Sequence, residues 1–269
     1  MSVMKTVAIC CVNYHSYEAL GTYLRSLEQA AACAVGLVEV SVFVADNTEH
    51  HVQSIDTTCC PSVKVSVHPL GKNWGYFGAV RQLMLIHDFT SFDYTLISNV
   101  DLELASDFFV NLSQLTMQTS VGWVAPSLFS LVEGRDKNPR MMQRYTLRRM
   151  RLFRLAYRIP FIHYLYTKTF YHRKRATVNT PCTIYAGHGS LIILTREFVL
   201  RHGAIDYPVF LYGEEIYLAE SCRRLGLSVV YAPNVRVTDA EHVSTGGMRR
   251  AFYYRCNYEA IDYLIRQFY

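Results

Sequence analysis

Three apolar, β-rich runs that each end in a polar cluster constrain this chain more than any other feature. Val3–Cys11 leads into Val12-Asn13-Tyr14, Leu37–Val44 into Ala45-Asp46-Asn47, and Tyr94–Ile97 into Ser98-Asn99-Val100-Asp101. A further run, Val63–Val67, lies between the second and third, and Val121–Ala125 closes this half. Helical spacing over about 16–32 and over Gly78–Asp88, with apolar Val80, Leu83 and Met84, separates the strands. Strands alternating with helices of this length predict βαβ units and a mainly parallel sheet. Such sheets bind ligands at the carboxyl ends of their strands. Asp and Asn also end strands as ordinary turn residues. One such cluster means little, but three in register point to a ligand site.

The second half is less regular. Thr183–Leu194 reads as strand, glycine turn (Gly187-His188-Gly189) and strand. A helix is expected from Glu214 to about Leu225, stopped by Gly226 as its C-cap. Ser228–Tyr231 and Val235–Thr238 read as two strands, and Arg250–Phe268 as an aromatic-rich helix.

Charge is distributed unevenly. Between Arg140 and Arg175 lie eleven of the 27 Lys and Arg and no Asp or Glu, so the rest of the chain sets sixteen basic residues against 22 acidic ones. Arg144, Arg148, Arg151, Arg154 and Arg158 recur at intervals of four and three, which predicts one basic helical face. Met142, Tyr145, Met150, Leu152, Phe153, Ala156 and Tyr157 fall on the other face. After Pro160 come Phe161, Tyr164, Tyr166, Phe170 and Tyr171, then Arg173-Lys174-Arg175. Basic, aromatic and amphipathic together is the pattern of a helix lying in a membrane interface. A solvated helix packing its apolar face on the core gives the same pattern. Nucleic acid is disfavoured by the acidic remainder and the lack of a nucleic-acid motif.

Other classes fall away. No run approaches the roughly 20 apolar residues of a spanning helix, and no cleavage-site pattern follows the N-terminal apolar run. The eight Cys include the adjacent pairs Cys10-Cys11 and Cys59-Cys60 but no CxxC, so reduced cytosolic thiols are expected. Neither GxGxxG after the first strand nor GxxxxGK[ST] occurs, which argues against a dinucleotide fold and a P-loop.

Seven blocks, in order, carry a resemblance: VNYHSYEALGTYLRSL, VFVADNT, NWGYFGAVRQ, LISNVDLEL, AGHGSLIILTREF, VFLYGEEIYLAESCRRLGLSVVYAP and EHVSTGG. Together they resemble inverting family 2 glycosyltransferases of the GT-A fold, including the rhamnosyl and galactofuranosyl enzymes of bacterial surface polysaccharides such as O-antigen or capsule. The implied architecture is one domain over 1–269. A nucleotide-sugar half spans 1–125, a basic amphipathic helical insert that meets a membrane or the acceptor's diphosphate 140–175, and an acceptor and catalytic half with the C-terminal helix 180–269.

The resemblance also implies roles. Val12, Asn13, Tyr14 and Asp46 would hold the base of a dTDP- or UDP-sugar, a carboxylate being the right acceptor for an imide N–H. Asn73 and Gly75, with Asn99, would approach ribose and phosphates. Asp101 matches the last acid of the family's DxD motif, with Asn99 in place of the first. His242 matches a further ligand position for a divalent ion, Mn²⁺ or Mg²⁺, that bridges the phosphates. Glu215 matches the general base that deprotonates the acceptor hydroxyl, Glu214 being its neighbour, though both also suit a helix N-terminus. Gly187, His188 and Gly189 would lie at the sugar–acceptor junction. The implied acceptor is a polyprenyl-diphosphate-linked glycan, and the implied location is peripheral, on the cytoplasmic face of the inner membrane. A sugar nucleotidyltransferase and a non-catalytic GT-A-like scaffold are the alternatives. The first normally has a glycine-rich loop after strand one, absent here, and the Asn99 substitution keeps the second open.

Overall fold

The computed structural model describes residues 4–50, 54–116, 118–164, 178–240 and 250–269. Its spine is a sheet in the order β3 (Val63–Pro69), β2 (Val38–Asp46), β1 (Lys5–Asn13), β4 (Tyr94–Asn99), β9 (Leu191–Thr195), β6 (Val121–Ser130), β10 (Ser228–Asp239) and β5 (Leu102–Leu104), with β7 (Arg135–Asp136) pairing β6 and β8 (Cys182–Ile184) pairing β10. The first part is parallel: β1 (Lys5–Asn13), β2 (Val38–Asp46), β3 (Val63–Pro69) and β4 (Tyr94–Asn99). Helix α1 (Tyr17–Ala32) connects β1 to β2, and α2 (Tyr76–Ile86) connects β3 to β4.

Both faces of this sheet are covered, which is why its strands read as nearly unbroken apolar runs. Along β1, Val7, Ile9 and Cys11 join the core beneath α1, where Leu20, Tyr23, Leu24 and Leu27 form the buried stripe. Ala8 and Cys10 face the opposite core with Phe77, Val80 and Leu83 of α2. The period-2 alternation of a strand thus divides one apolar run between two cores.

After β5 (Leu102–Leu104) and α3 (Phe108–Ser113) the chain forms β6 (Val121–Ser130), the short β7 (Arg135–Asp136) and α4 (Leu147–Arg158). It continues through β8 (Cys182–Ile184), β9 (Leu191–Thr195), α5 (Arg196–His202), α6 (Glu214–Arg224), β10 (Ser228–Asp239) and α7 (Arg250–Phe268).

The strand, turn and strand expected over 183–194 are present: β8 lies antiparallel to β10, and β9 runs antiparallel between β4 and β6. Two local expectations change. The two strands expected over 228–238 are one strand, β10, whose register against β6 shifts between Ala232 and Arg236. Pro233, which lacks an N–H for the ladder, lies in that shift. Arg144 lies ahead of α4, because Thr146 caps the helix by accepting from the Arg149 N–H at 3.3 Å. No helix among the described residues is long and apolar enough to cross a membrane.

Candidate functional site

The carboxyl ends of β1, β2 and β4 bring the polar clusters together. Asn13 is the register partner of Asp46, and Val12 that of Asn99. Asn13 and Asp46 are both fully buried, so their polar atoms need internal partners. Asp46 Oδ1 accepts from Asn13 Nδ2 at 3.2 Å and from the Thr48 N–H at 3.1 Å, and its Oδ2 accepts from the Tyr17 hydroxyl at 2.8 Å. Asn13 Oδ1 accepts from the Ser16 N–H, which turns the chain into α1. Tyr14 stands exposed at the rim.

Asn47 links this cluster to the loop before α2. Its Nδ2 donates to the Gly75 carbonyl at 2.9 Å, and Asn73 Oδ1 accepts from the Gly75 N–H at 2.9 Å. Gly75 caps α2 at φ +75°, and a Cβ there would stand 2.1 Å from the Phe210 carbonyl oxygen. Only glycine fits both the angle and the approach. Exposed Trp74 flanks the loop, with Lys72 Nζ 4.3 Å over its ring.

The second half meets this edge at the loop 187–189. The His188 N–H donates to Asn138 Oδ1 at 2.8 Å, and the Ser190 N–H donates to His188 Nδ1 at 3.2 Å. Gly187 lies flat over β6, where a Cβ would meet that of Ala125 at 2.6 Å. The Tyr76 hydroxyl donates to the Gly189 carbonyl at 3.1 Å, and the Asn99 N–H donates to the Ser190 carbonyl at 2.9 Å. Glu215 rests against Gly189, its Oε1 3.4 Å from where a Cβ would stand.

Helix α6 starts under backbone strain. Tyr212 has φ +72°, a conformation that a tyrosine keeps only where the surroundings impose it, and Gly213 follows at φ +86°, which glycine adopts freely. The Tyr207 hydroxyl donates to the Tyr212 carbonyl at 2.7 Å and lies 2.5 Å from a Cβ placed on Gly213. The pair Glu214-Glu215 follows directly. Glu214 is buried, and desolvation followed by the Glu215 charge pushes its carboxyl up to about 8. Burial also raises the Tyr76 hydroxyl well above its ordinary value, and the charges of Glu214, Tyr23, Asp101 and Glu215 push the same way. One phenol therefore lies within electrostatic reach of the end of β4 and the start of α6.

Among the described residues no three His, Cys, Asp or Glu side chains form a ready-made cation site. Asp101, half-buried, and the amide of Asn99 supply two oxygen donors from one strand end. That set suits a hard cation that completes its shell with phosphate oxygens and water. His242 lies outside the described residues.

The five arginines divide. Arg144 pairs with fully buried Glu220 at 2.6 Å and stacks on Tyr269, while Arg154 pairs with Asp262 at 3.0 Å. Arg148, Arg151 and Arg158 are exposed and form no ion pair among the described residues. The outward face of α4 also differs from the expected division. Leu152, Leu155 and Ile159 are exposed beside these arginines, while Met150 and Ala156 are buried. Tyr17, Tyr76 and Asn138 border the candidate site and were not singled out by motif reading, whereas Asn47 stands in the polar cluster that ends β2. Tyr17 and Tyr76 stand inside two of the recognised blocks, and Asn47 follows Asp46 directly.

Comparison with known proteins fits this geometry. The model of a family described as "Glycosyltransferase like family 2" matches residues 5–252. A search of curated proteins finds no significant match. Among solved structures, one similar fold is GalNAc-T7 with UDP, GalNAc and Mn²⁺, at 14% identity and TM-score 0.58, covering 97% of this chain and 48% of that one. Another is the mannosyltransferase PcManGT from Pyrobaculum calidifontis in complex with GDP-Man and Mn²⁺, at 15% identity and TM-score 0.52, covering 91% of this chain and 59% of that one. A mycobacterial protein matches at 16% identity and TM-score 0.51, over 98% of this chain and 74% of its own. The chain thus spans about half the length of the first two, and at these identities the likeness is one of fold.

Proposed function

The chain belongs to the glycosyltransferase-like family 2, and from that premise we propose that it is an inverting transferase moving a sugar from a nucleotide diphosphate to a glycan hydroxyl. The observation that supports this most is the convergence on Tyr76. The end of β4 with Asn99 and Asp101, the loop at Gly189 and the start of α6 with Glu214 and Glu215 all lie around it.

In this reading Glu215 is the base. It takes the proton of the acceptor hydroxyl as that oxygen bonds the anomeric carbon. The bond from that carbon to the phosphate oxygen breaks on the opposite face, and its electron pair leaves with the nucleotide diphosphate. Glu214, buried and held as the neutral acid, excludes water behind the base. Asn13, Asp46 and Tyr14 bound the base pocket, where the Tyr17 hydroxyl orients the Asp46 carboxylate. Asn73, Gly75 and Asn99 border the ribose and phosphates, and Gly187, His188 and Gly189 border the sugar. A divalent ion, Mg²⁺ or Mn²⁺, held by Asp101 and Asn99 with His242, would neutralise the leaving diphosphate.

The outward face of α4 supports a lipid-linked acceptor. Arginines interspersed with exposed Leu152, Leu155 and Ile159 match an anionic membrane surface. The reading is a peripheral enzyme at the inner membrane face, extending a polyprenyl-diphosphate-linked glycan of a surface polysaccharide. Its donor is a dTDP- or UDP-sugar. The test is release of nucleotide diphosphate from a panel of sugar nucleotides with Mn²⁺. Turnover that Glu215→Gln abolishes is expected, and no turnover with any donor defeats the enzyme reading.

A further inference from the structure

Away from this site, strand β3 carries Ser66 and His68 at the edge of the sheet, and α2 ends on His87, its C-cap. His68 Nε2 lies 3.2 Å from His87 Nε2 and 3.2 Å from Ser66 Oγ. The two imidazole rings stand 4.8 Å apart at 72°. Phe43 holds both rings: it stacks on His68 at 6.4 Å and tilts against His87 at 4.7 Å. Phe89 packs edge-on against His87 at 6.4 Å. Both histidines remain half-exposed, so solvent and small ions reach them.

Two nitrogens at this separation match the edge of a coordination tetrahedron. With metal–nitrogen bonds of about 2.0–2.1 Å that edge is roughly 3.3–3.4 Å, within about 0.2 Å of the spacing found here. We propose that His68 and His87, with the Ser66 hydroxyl, form a site for a divalent transition ion of the zinc type, water completing the shell. Imidazole nitrogen suits zinc, copper and nickel, whereas the oxygen donors at Asp101 and Asn99 suit magnesium and manganese. The two sites therefore sort ions by chemistry, and the histidine site does not depend on the transferase reading.

Protons balance without a co-reactant. In the ion-free pair, one Nε2 carries the proton that the other accepts. On binding, that ring's proton transfers through solvent to its own Nδ1, leaving both Nε2 lone pairs on the metal and releasing no net proton. The mechanical effect follows from α2. An ion here ties the end of that helix to the edge strand, and the helix's other end carries Gly75 and Tyr76.

The test is isothermal titration of the full chain with zinc chloride, in magnesium-containing buffer that occupies oxygen-donor sites. One equivalent should bind in the micromolar range, and affinity should fall about tenfold or more in His68→Ala and in His87→Phe. His87→Phe keeps an aromatic ring against Phe43, so the ligand is removed without opening the packing. A long-range proton–nitrogen spectrum of the histidine rings reads the wild-type protein without any variant. One equivalent of zinc should shift two Nε2 signals and lock both rings as Nδ1–H tautomers. Unchanged affinity in both variants, or ring signals that zinc leaves unmoved, would overturn the proposal.

Discussion

The Tyr76 hydroxyl donates to the Gly189 carbonyl across 3.1 Å, joining the first turn of α2 to the loop on which Glu215 rests. One hydrogen bond thus spans the boundary between the parallel strands and the second half of the chain. Tyr76→Phe removes that bond and leaves the ring. The expected loss is about 1 kcal/mol, or roughly fivefold in kcat, with donor KM little changed. Steady-state kinetics with a sugar nucleotide reads it, and a rise in donor KM at constant kcat would assign Tyr76 to the donor instead.

Glu214 makes stability depend on pH in a defined direction. Its carboxyl is raised from 4.5 to about 8 in the folded protein, by burial first and the Glu215 charge second. Between those values the unfolded chain has lost its proton while the folded chain keeps it. Stability therefore falls as pH rises through that window. Glu214→Gln should gain in urea midpoint relative to wild type as pH goes from about 4 to about 8.5. A difference that stays flat with pH would contradict the buried acid.

Glu220 is fully buried and accepts from Arg144, Tyr185 and Arg223 at 2.6, 2.7 and 2.9 Å. Burial alone raises its carboxyl, but these bonds hold it below the ordinary value. Arg144→Ala removes one charge-assisted partner, with an expected cost of about 2–3 kcal/mol in chemical denaturation. Arg148→Ala, on the exposed face, should change stability by less than about 0.5 kcal/mol.

Membrane association, if α4 mediates it, rests on Arg148, Arg151 and Arg158, because Arg144 and Arg154 are committed to Glu220 and Asp262. Each basic residue near an anionic surface contributes about 1 kcal/mol. Replacing the three by Glu should weaken binding to phosphatidylglycerol liposomes by roughly a hundredfold or more. Nucleotide binding should persist. Sedimentation unchanged by the substitutions would return the strip to the acceptor or the fold.

The placement of Asn13, Asp46 and Asn99 was legible in the sequence because parallel strands in register bring equivalent ends together. The C-terminal end of helix α7, at Phe268, was legible to the residue. Strand β9 was recognisable as a strand but not in its place. A run such as Leu-Ile-Ile-Leu-Thr fits any buried ladder, and what selects β4 and β6 as partners lies far off in sequence. Arg144 looked helical because arginine spacing continues through Thr146. Its actual partner, Glu220, is 76 positions away, and short-range periodicity holds no information at that distance. Tyr76 and Tyr17 were hidden for another reason: tyrosine serves a core and a site equally well, and only contacts tell them apart.

The position of β9 has a consequence for synthesis. It sits between β4 and β6, yet it follows β6 by about sixty residues of chain. While a ribosome is still making the segment between them, β4 and β6 each present an unpaired ladder edge in the emerging chain. Open edges of that kind invite pairing with other chains. Emergence of residues 191–195 joins β4 to β6, and the sheet is complete only when β10 follows and fills the place between β6 and β5.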